Sequence, residues 1–359
     1  MTTYLLIIIS QLFWGTSCEK ENIEPANLSK KIEKKVLKIA KEKNIPSLEA
    51  TITNGEDIID FKYNHKEVKK QDIYGIGSTT KFLSSVLIFK LIEDKKLRID
   101  SKVIDFVNLA RPITGIENLT IKNLLNHTSG LSDYTKHPDW MKNLMNNNAP
   151  KTFEEKILLV SNTLENNGSF SYSNTNYLFL QKIVETITAT SYDVAFNNFY
   201  STNNLSNIKM GFDENRLQAF FGQTEQASSD VSVWREYYGF DGGAFTDTNT
   251  LDNFLAKLFR DKSILKSSTI SEMEEWIKME PMTIPIGSGI ISEYGSGIMK
   301  LTYNGQEYIG HFGGTLKYQS MTFYNSKKDI AISIATNCSG RHFNNVFFQE
   351  LIPAILDEL

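Results

Sequence analysis

The sequence has little of what would support several common kinds of protein. Its 359 residues include two cysteines, Cys18 and Cys338. Two cysteines cannot form a disulfide framework. The five histidines (His65, His127, His137, His311 and His342) are scattered; none pairs as H-E-x-x-H or H-x-H, and no cluster of Cys and His has metal-ligand spacing. No metal and no cofactor is expected. Neither charge sign dominates: 38 Lys and Arg stand against 42 Asp and Glu, a net charge of −4. That balance gives no sign of nucleic-acid binding. No internal repeat and no low-complexity domain interrupts the chain. What is present is apolar material: 41% of residues are hydrophobic and 11% aromatic, enough for a full globular core.

The longest apolar run is at the start, from Tyr4 to Trp14. It is too short for a membrane span, which needs about 20 apolar residues. It fits the h-region of an export signal. Gly15-Thr16-Ser17 and Cys18 follow, and then the chain turns polar. This resembles a bacterial lipoprotein signal, in which the cysteine becomes the lipidated first residue. Lys and Arg are missing before the run, and Gly15 stands where Leu is usual. A plain signal peptide with an incidental cysteine is the alternative. The expected organisation is a signal over 1–18 with lipidation at Cys18, a tether over 19–29, and one domain over 30–355. The expected location is exported, periplasmic or lipid-anchored to a bacterial membrane.

Within that domain, Leu28 to Lys43 has the spacing of an amphipathic surface helix, ended by Pro46. Two β-prone runs, 48–53 and 58–63, flank Asn54-Gly55, a strong hairpin signal. Ser78 to Glu93 is apolar on most sides and predicts a buried helix. Residues from about 103 to 259 are mainly helical with Asn- and Ser-rich loops. Four β-prone runs follow, at 294–302, 306–310, 318–324 and 330–336, and an amphipathic helix closes the chain at 343–359. Strands, helices and strands again predict an α+β fold. Its antiparallel sheet is assembled from N- and C-terminal strands, flanked by helices, with a helical region inserted.

Three short motifs carry chemistry. The first is Ser78-Thr79-Thr80-Lys81. Residues three apart share a helix face, so the lysine reaches the serine hydroxyl. A buried, neutral amine can take the hydroxyl proton. The helix N-terminus adds a positive dipole end where an oxyanion would form. The same pattern recurs at Ser17–Lys20, Ser206–Lys209 and Ser263–Lys266, but only Ser78 has a glycine-rich entry, from Gly75 and Gly77, into a long buried helix. The second motif is Tyr172-Ser173-Asn174: a phenol beside an ammonium can shuttle protons, and an amide can orient a substrate carbonyl. The third is His311-Phe312-Gly313-Gly314, whose glycines would let a substrate backbone lie against a strand edge.

In this order, and joined by Leu124-Leu-Asn-His-Thr-Ser-Gly-Leu131 and Gly242-Gly-Ala-Phe-Thr246, these motifs resemble the penicillin-recognising serine enzymes. The similarity is to their class C β-lactamase and DD-carboxypeptidase branch, with its esterase relatives. It covers roughly residues 30 to 355. The resemblance implies that Ser78 is acylated, that Lys81 and Tyr172 move its proton, and that Asn174 holds the substrate amide. It implies substrate contacts for His311, which stands where many members have Lys, and for Gly313 and Gly314. The N–H groups of Ser78 and Gly314 would form the oxyanion hole. His127 is read as structural. The stretch Thr315-Leu316-Lys317-Tyr318 departs from the small residues usual there: its bulk would narrow the pocket, and Lys317 would offer a charge to a carboxylate. No acidic residue stands out as a deacylating base of the class A kind. The expected partner is a small-molecule or peptide substrate: a D-amino-acid peptide, a β-lactam or an ester. A non-catalytic peptide- or cell-wall-binding protein on the same fold is the alternative.

Overall fold

The computed structural model describes residues 25–359 except 66–67, 70–71, 147, 166–167, 212–216, 225–226 and 234–236. The expected export signal with Cys18 lies outside the described residues, as do positions 19–24 of the expected tether. The first helix, α1 (Pro25–Glu42), begins three residues before the expected start at Leu28 and takes up the rest of that tether. Ile32, Val36 and Ala40 lie four apart on its inner face, and all are buried.

Along the chain the strands are β1 (Ser47–Asn54), β2 (Asp57–Asn64), β3 (Tyr74–Gly75), β4 (Lys209–Met210), β5 (Phe220–Thr224), β6 (Ala227–Asp230), β7 (Ala244–Thr246), β8 (Ile277–Ile286), β9 (Gly289–Tyr294), β10 (Met299–Tyr303), β11 (Gln306–Gly314), β12 (Gln319–Asn325), β13 (Ile330–Thr336) and β14 (Cys338–Ser339). Eight of them form one antiparallel sheet in the order β2-β1-β13-β12-β11-β10-β9-β8. The N-terminal hairpin joins the C-terminal strands where β1 pairs with β13, Leu48 opposite Thr336 and Asn54 opposite Ile330. The sheet is therefore built from both ends of the chain.

Both faces of the sheet are covered, and side chains alternate between them. On one face Ile52, Phe312, Phe323, Ile332 and Ile334 pack with α1 and with the C-terminal Phe347, Leu351 and Ile352. The other face carries small polar groups that pair as they are buried: Thr51 with Thr248 at 2.8 Å, Thr322 with Ser333 at 2.6 Å, and Ser320 with Thr79 at 2.9 Å. Their small volume lets helices approach closely. One of these helices is α2 (Thr79–Glu93), buried on nearly all sides. Residues 103–259 hold more helix than strand, with Asn174–Thr188 and Tyr192–Thr202 the longest helices, but less than half of the stretch is helical: turns and loops join short helices, and strands β4 to β7 lie there too.

Two strand boundaries differ from the sequence pattern. The run 294–302 is not one strand: it contains the end of β9 and most of β10, separated by a turn over Gly295–Ile298. Gly297 there has φ +78°, and a Cβ on it would lie 2.0 Å from Ser85 Oγ, so the turn presses on α2 through a missing side chain. Strand β8, carrying Pro281 and Pro285, gave no strand signal; its pairing with β9 shifts register twice. The closing helix is Arg341–Val346 and Ile352–Leu356 joined by a π-helical turn.

Candidate active site

The site begins where the chain leaves β3 for α2. Gly77 has φ +48°, and a Cβ on it would lie 2.5 Å from the Gly314 amide nitrogen. A Cβ on Gly313 would lie 1.8 Å from the Ile76 carbonyl oxygen. The three glycines thus let the Ile76–Ser78 backbone lie directly against the end of β11. Ser320 Oγ fastens the contact by donating to the Ile76 carbonyl at 2.7 Å. Ser78 and Gly314, the expected oxyanion-hole pair, are neighbours; Ser78 is half-buried and Gly314 exposed.

Lys81 lies one turn along α2 and is fully buried. Its Nζ donates to Ser78 Oγ at 3.1 Å, to Asn174 Oδ1 at 2.6 Å and to the Asp241 carbonyl. Burial pushes the amine from its ordinary 10.5 down to about 8, against the opposing pull of the Asp241 and Asp133 carboxylates. A sizeable neutral fraction therefore exists near neutral pH, next to the hydroxyl it would deprotonate. Tyr172 completes the set. Its ring centroid is 5.0 Å from Lys81 Nζ, and its hydroxyl lies near the Ser78 side chain. Burial holds the phenol well above its usual 10, so it stays protonated and can donate.

Asn174, first residue of the helix Asn174–Thr188, sits between Lys81 and an acid. Its Nδ2 donates to Asp133 Oδ2 at 3.1 Å and to Thr135 Oγ1 at 3.0 Å. Two acids that the motifs did not single out shape the lysine's surroundings. Asp133 follows Leu131 by two residues at the end of the His-Thr-Ser-Gly-Leu signature. Asp241 precedes Gly242-Gly243; a Cβ on Gly243 would lie 2.2 Å from the Tyr238 carbonyl, so this tight turn requires glycine and turns the Asp241 carbonyl to Lys81. The Asp241 carboxylate accepts from Gly239 N–H at 2.9 Å and from the Tyr134 hydroxyl. The only signal for Asp241 in the sequence was its glycine pair.

His311 shares the α2-facing side of β11 with Gly313. It is fully buried beneath Tyr172, ring centroids 6.5 Å apart, and does not line an open cavity. Its Nδ1 donates to the Phe312 carbonyl, and its Nε2 accepts from the Tyr294 hydroxyl at 3.1 Å. Burial and the Lys81 charge push it down to about 3, so it is neutral and no substitute for a lysine's charge. The expected narrowing by Tyr318 is not found: that ring is buried against Gly75, whose missing Cβ makes room 2.6 Å from the ring edge. Lys317 is buried too, donating to the Ser232 carbonyl at 3.4 Å. A cavity of about 650 Å³ opens beside Tyr172 and Asp133, with Leu131, Ser132, Glu165 and Ser171 in its wall. Among the described residues no group of three or more His, Cys, Asp or Glu is placed to hold a metal ion, and no helix is long and apolar enough to cross a membrane.

An antiparallel sheet built from both chain ends, with a Ser-x-x-Lys helix start packed against the end of strand β11, is the architecture of the β-lactamase and DD-peptidase-like fold. The chain belongs to the beta-lactamase family, whose description matches residues 31–349. Among solved structures it is similar to a D-amino acid amidase from Ochrobactrum anthropi SV3, with TM-score 0.77, 17% identity, and coverage of 92% of this chain and 99% of that one. A D-stereospecific amidohydrolase from a Streptomyces species has TM-score 0.73 at 21% identity, covering 90% and 97%. Among curated proteins it is similar to Protein flp of Staphylococcus aureus strain N315, 23% identical over 332 residues and covering 86% of this chain. The chain spans 61% of that relative's length. The teichoic acid D-alanine hydrolase of Staphylococcus aureus is 25% identical over 293 residues, covering 70% of this chain and 67% of the relative.

Proposed function

We propose that the protein is a serine hydrolase that works through an acyl-enzyme on Ser78, with D-aminoacyl amides, esters or peptides as its substrates. The observation that carries this reading is a fully buried Lys81 amine 3.1 Å from the Ser78 hydroxyl, its affinity for a proton lowered to about 8. Neutral Lys81 takes the Ser78 proton as Oγ bonds to the substrate carbonyl carbon. The oxyanion forms against the backbone N–H groups of Ser78 and Gly314. When the carbon–nitrogen or carbon–oxygen bond breaks, the protonated Tyr172 phenol gives the leaving group its proton and recovers one from Lys81. Water then attacks the acyl-enzyme and frees Ser78.

The activities that three of the relatives are named for favour D-aminoacyl groups over β-lactams: a D-amino acid amidase, a D-stereospecific amidohydrolase and a teichoic acid D-alanine hydrolase. The Asp133 carboxylate at the cavity wall suits a substrate that carries a protonated amine. The test is a panel of D-alanine amides and esters, D-Ala-D-Ala peptides and nitrocefin, with Ser78→Ala as control. Turnover of D-aminoacyl substrates ahead of nitrocefin, lost in Ser78→Ala, is expected; turnover that survives Ser78→Ala would overturn the reading. We also propose export and lipid attachment at Cys18, from the apolar run and the residues after it. Labelled palmitate should enter the protein in bacterial cells and not its Cys18→Ala variant; equal labelling of both, or none, contradicts it.

A further inference from the structure

His127 bears two local costs at once. Its backbone is left-handed, with φ 58°, a conformation uncommon for residues other than glycine. Its side chain is fully buried, and Nε2 has no hydrogen-bond partner among the described residues. A phenylalanine would fill the same aromatic surroundings without stranding a polar atom. The imidazole must therefore do something that packing alone does not require.

Its hydrogen bonds converge on one neighbour. Nδ1 accepts from the Ser173 N–H at 3.2 Å and from Asn176 Nδ2 at 2.8 Å. The His127 carbonyl accepts from the Ser171 N–H at 2.8 Å. Ser171 and Ser173 are the two residues that flank Tyr172. The imidazole itself lies against the Tyr172 ring, centroids 4.3 Å apart and planes 31° apart. The tautomer follows from the partners. A backbone N–H only donates, and Ser129 Oγ donates to Asn176 Oδ1, which leaves Asn176 Nδ2 as the donor toward His127. Nδ1 thus holds a lone pair, and the ring proton sits on Nε2.

We infer that His127 is a positioning residue that fixes the Tyr172 phenol against Ser78, holding the backbone on both sides of Tyr172 and the face of its ring. The role needs the neutral imidazole, because a proton on Nδ1 would face two donors. The groups around the ring keep it neutral. Burial, the Lys81 ammonium of α2 and His311 of β11 hold its proton affinity well below the usual 6.5, and the remaining ring neighbours carry no charge: Phe170 is a hydrocarbon, and Tyr177 and Tyr294 are protonated phenols. The inference rests on the proposed role of Tyr172 as proton donor to the leaving group.

The test compares D-alanine p-nitroanilide, whose leaving group needs a proton, with p-nitrophenyl acetate, whose leaving group does not. His127→Phe should lower kcat on the anilide at least tenfold, with KM within twofold and a smaller loss on the ester. His127→Asn, which tolerates the left-handed backbone and offers an Oδ1 acceptor, should recover to within threefold of the unaltered protein. His127→Phe combined with Tyr172→Phe should be no slower than Tyr172→Phe alone. Equal losses on both substrates, equal damage by Asn and Phe, or multiplying effects overturn the inference. If Phe at this position does not fold, Asn176→Leu removes one of the two donors instead: a kcat loss with KM unchanged supports the role, and no loss overturns it. A readout without turnover separates this inference from the proposed function. In protein labelled with carbon-13 at the tyrosine Cζ, the Tyr172 resonance should shift or broaden in His127→Phe; an unchanged resonance overturns the role even if Ser78 is never acylated.

Discussion

Lys81 gives the sharpest quantitative prediction, because its base strength and its surroundings are both defined. With the amine at about 8, about one-tenth of it is neutral at pH 7; at its ordinary 10.5 the fraction would be about 1 in 3,000. Burial is therefore worth about 300-fold in available base at that pH, or about 3 kcal/mol. The rate of Ser78 acylation, followed with p-nitrophenyl acetate under single-turnover conditions, should rise about tenfold per pH unit below 8 and level off above it. Asp241 supplies a test of sign. Its carboxylate opposes the burial effect, so Asp241→Asn removes a charge that favours the ammonium. The midpoint should move down by about one unit, and acylation at pH 7 should rise from about a tenth of its plateau to about half. Lys81→Ala should abolish the limb and slow acylation by at least about a hundredfold. A flat profile in the unaltered protein between pH 6 and 9, or an upward shift in Asp241→Asn, refutes the assignment of Lys81 as the base.

Three further outcomes follow from the geometry. Gly313→Ala puts a methyl group 1.8 Å from the Ile76 carbonyl, so it should cost about 2–4 kcal/mol of stability and displace Ser78, seen as a lower Tm with loss of fluorophosphonate labelling. Phe82→Ala empties a fully buried site at 5.1 Å from the Phe254 ring; a loss of about 3–5 kcal/mol in urea unfolding is expected. His311 binds a proton only near pH 3 when folded but near 6.5 when unfolded, so the unfolded state takes up more protons as pH falls through that window. Stability should drop by several kcal/mol between pH 6.5 and 3, and His311→Gln should flatten that part of the curve, measured by urea midpoints at pH 7 and 4.

Much of this arrangement was legible in the residues. The hairpin at Asn54-Gly55 and the buried α2 follow from local turn chemistry and apolar spacing, and they place the N-terminal strands and Ser78. The sheet's assembly from both chain ends follows from the order of elements. What was hidden depends on contacts across the chain. Asp241 acts on Lys81 through its backbone carbonyl, which no side-chain pattern announces. Asp133 reaches the lysine's surroundings through Asn174, and its meaning emerges only when residues about 40 apart meet. His311 was legible as a strand residue beside two glycines, but its burial beneath Tyr172 depends on Tyr294 from another strand. The split of 294–302 was hidden because Gly295 and Gly297 interrupt a run that otherwise alternates like a strand, and their reason lies in the approach to Met273 and Ser85.

The central claim is that Ser78 is the nucleophile and Lys81 its base. The most direct measurement is peptide mapping by mass spectrometry after reaction with a fluorophosphonate at pH 8, on the unaltered protein, Ser78→Ala and Lys81→Ala. The predicted result is one phosphonate per chain on the peptide that holds Ser78, none in Ser78→Ala, and labelling at least a hundredfold slower in Lys81→Ala. A phosphonate on another residue, labelling that persists in Ser78→Ala, or an unchanged rate in Lys81→Ala contradicts it.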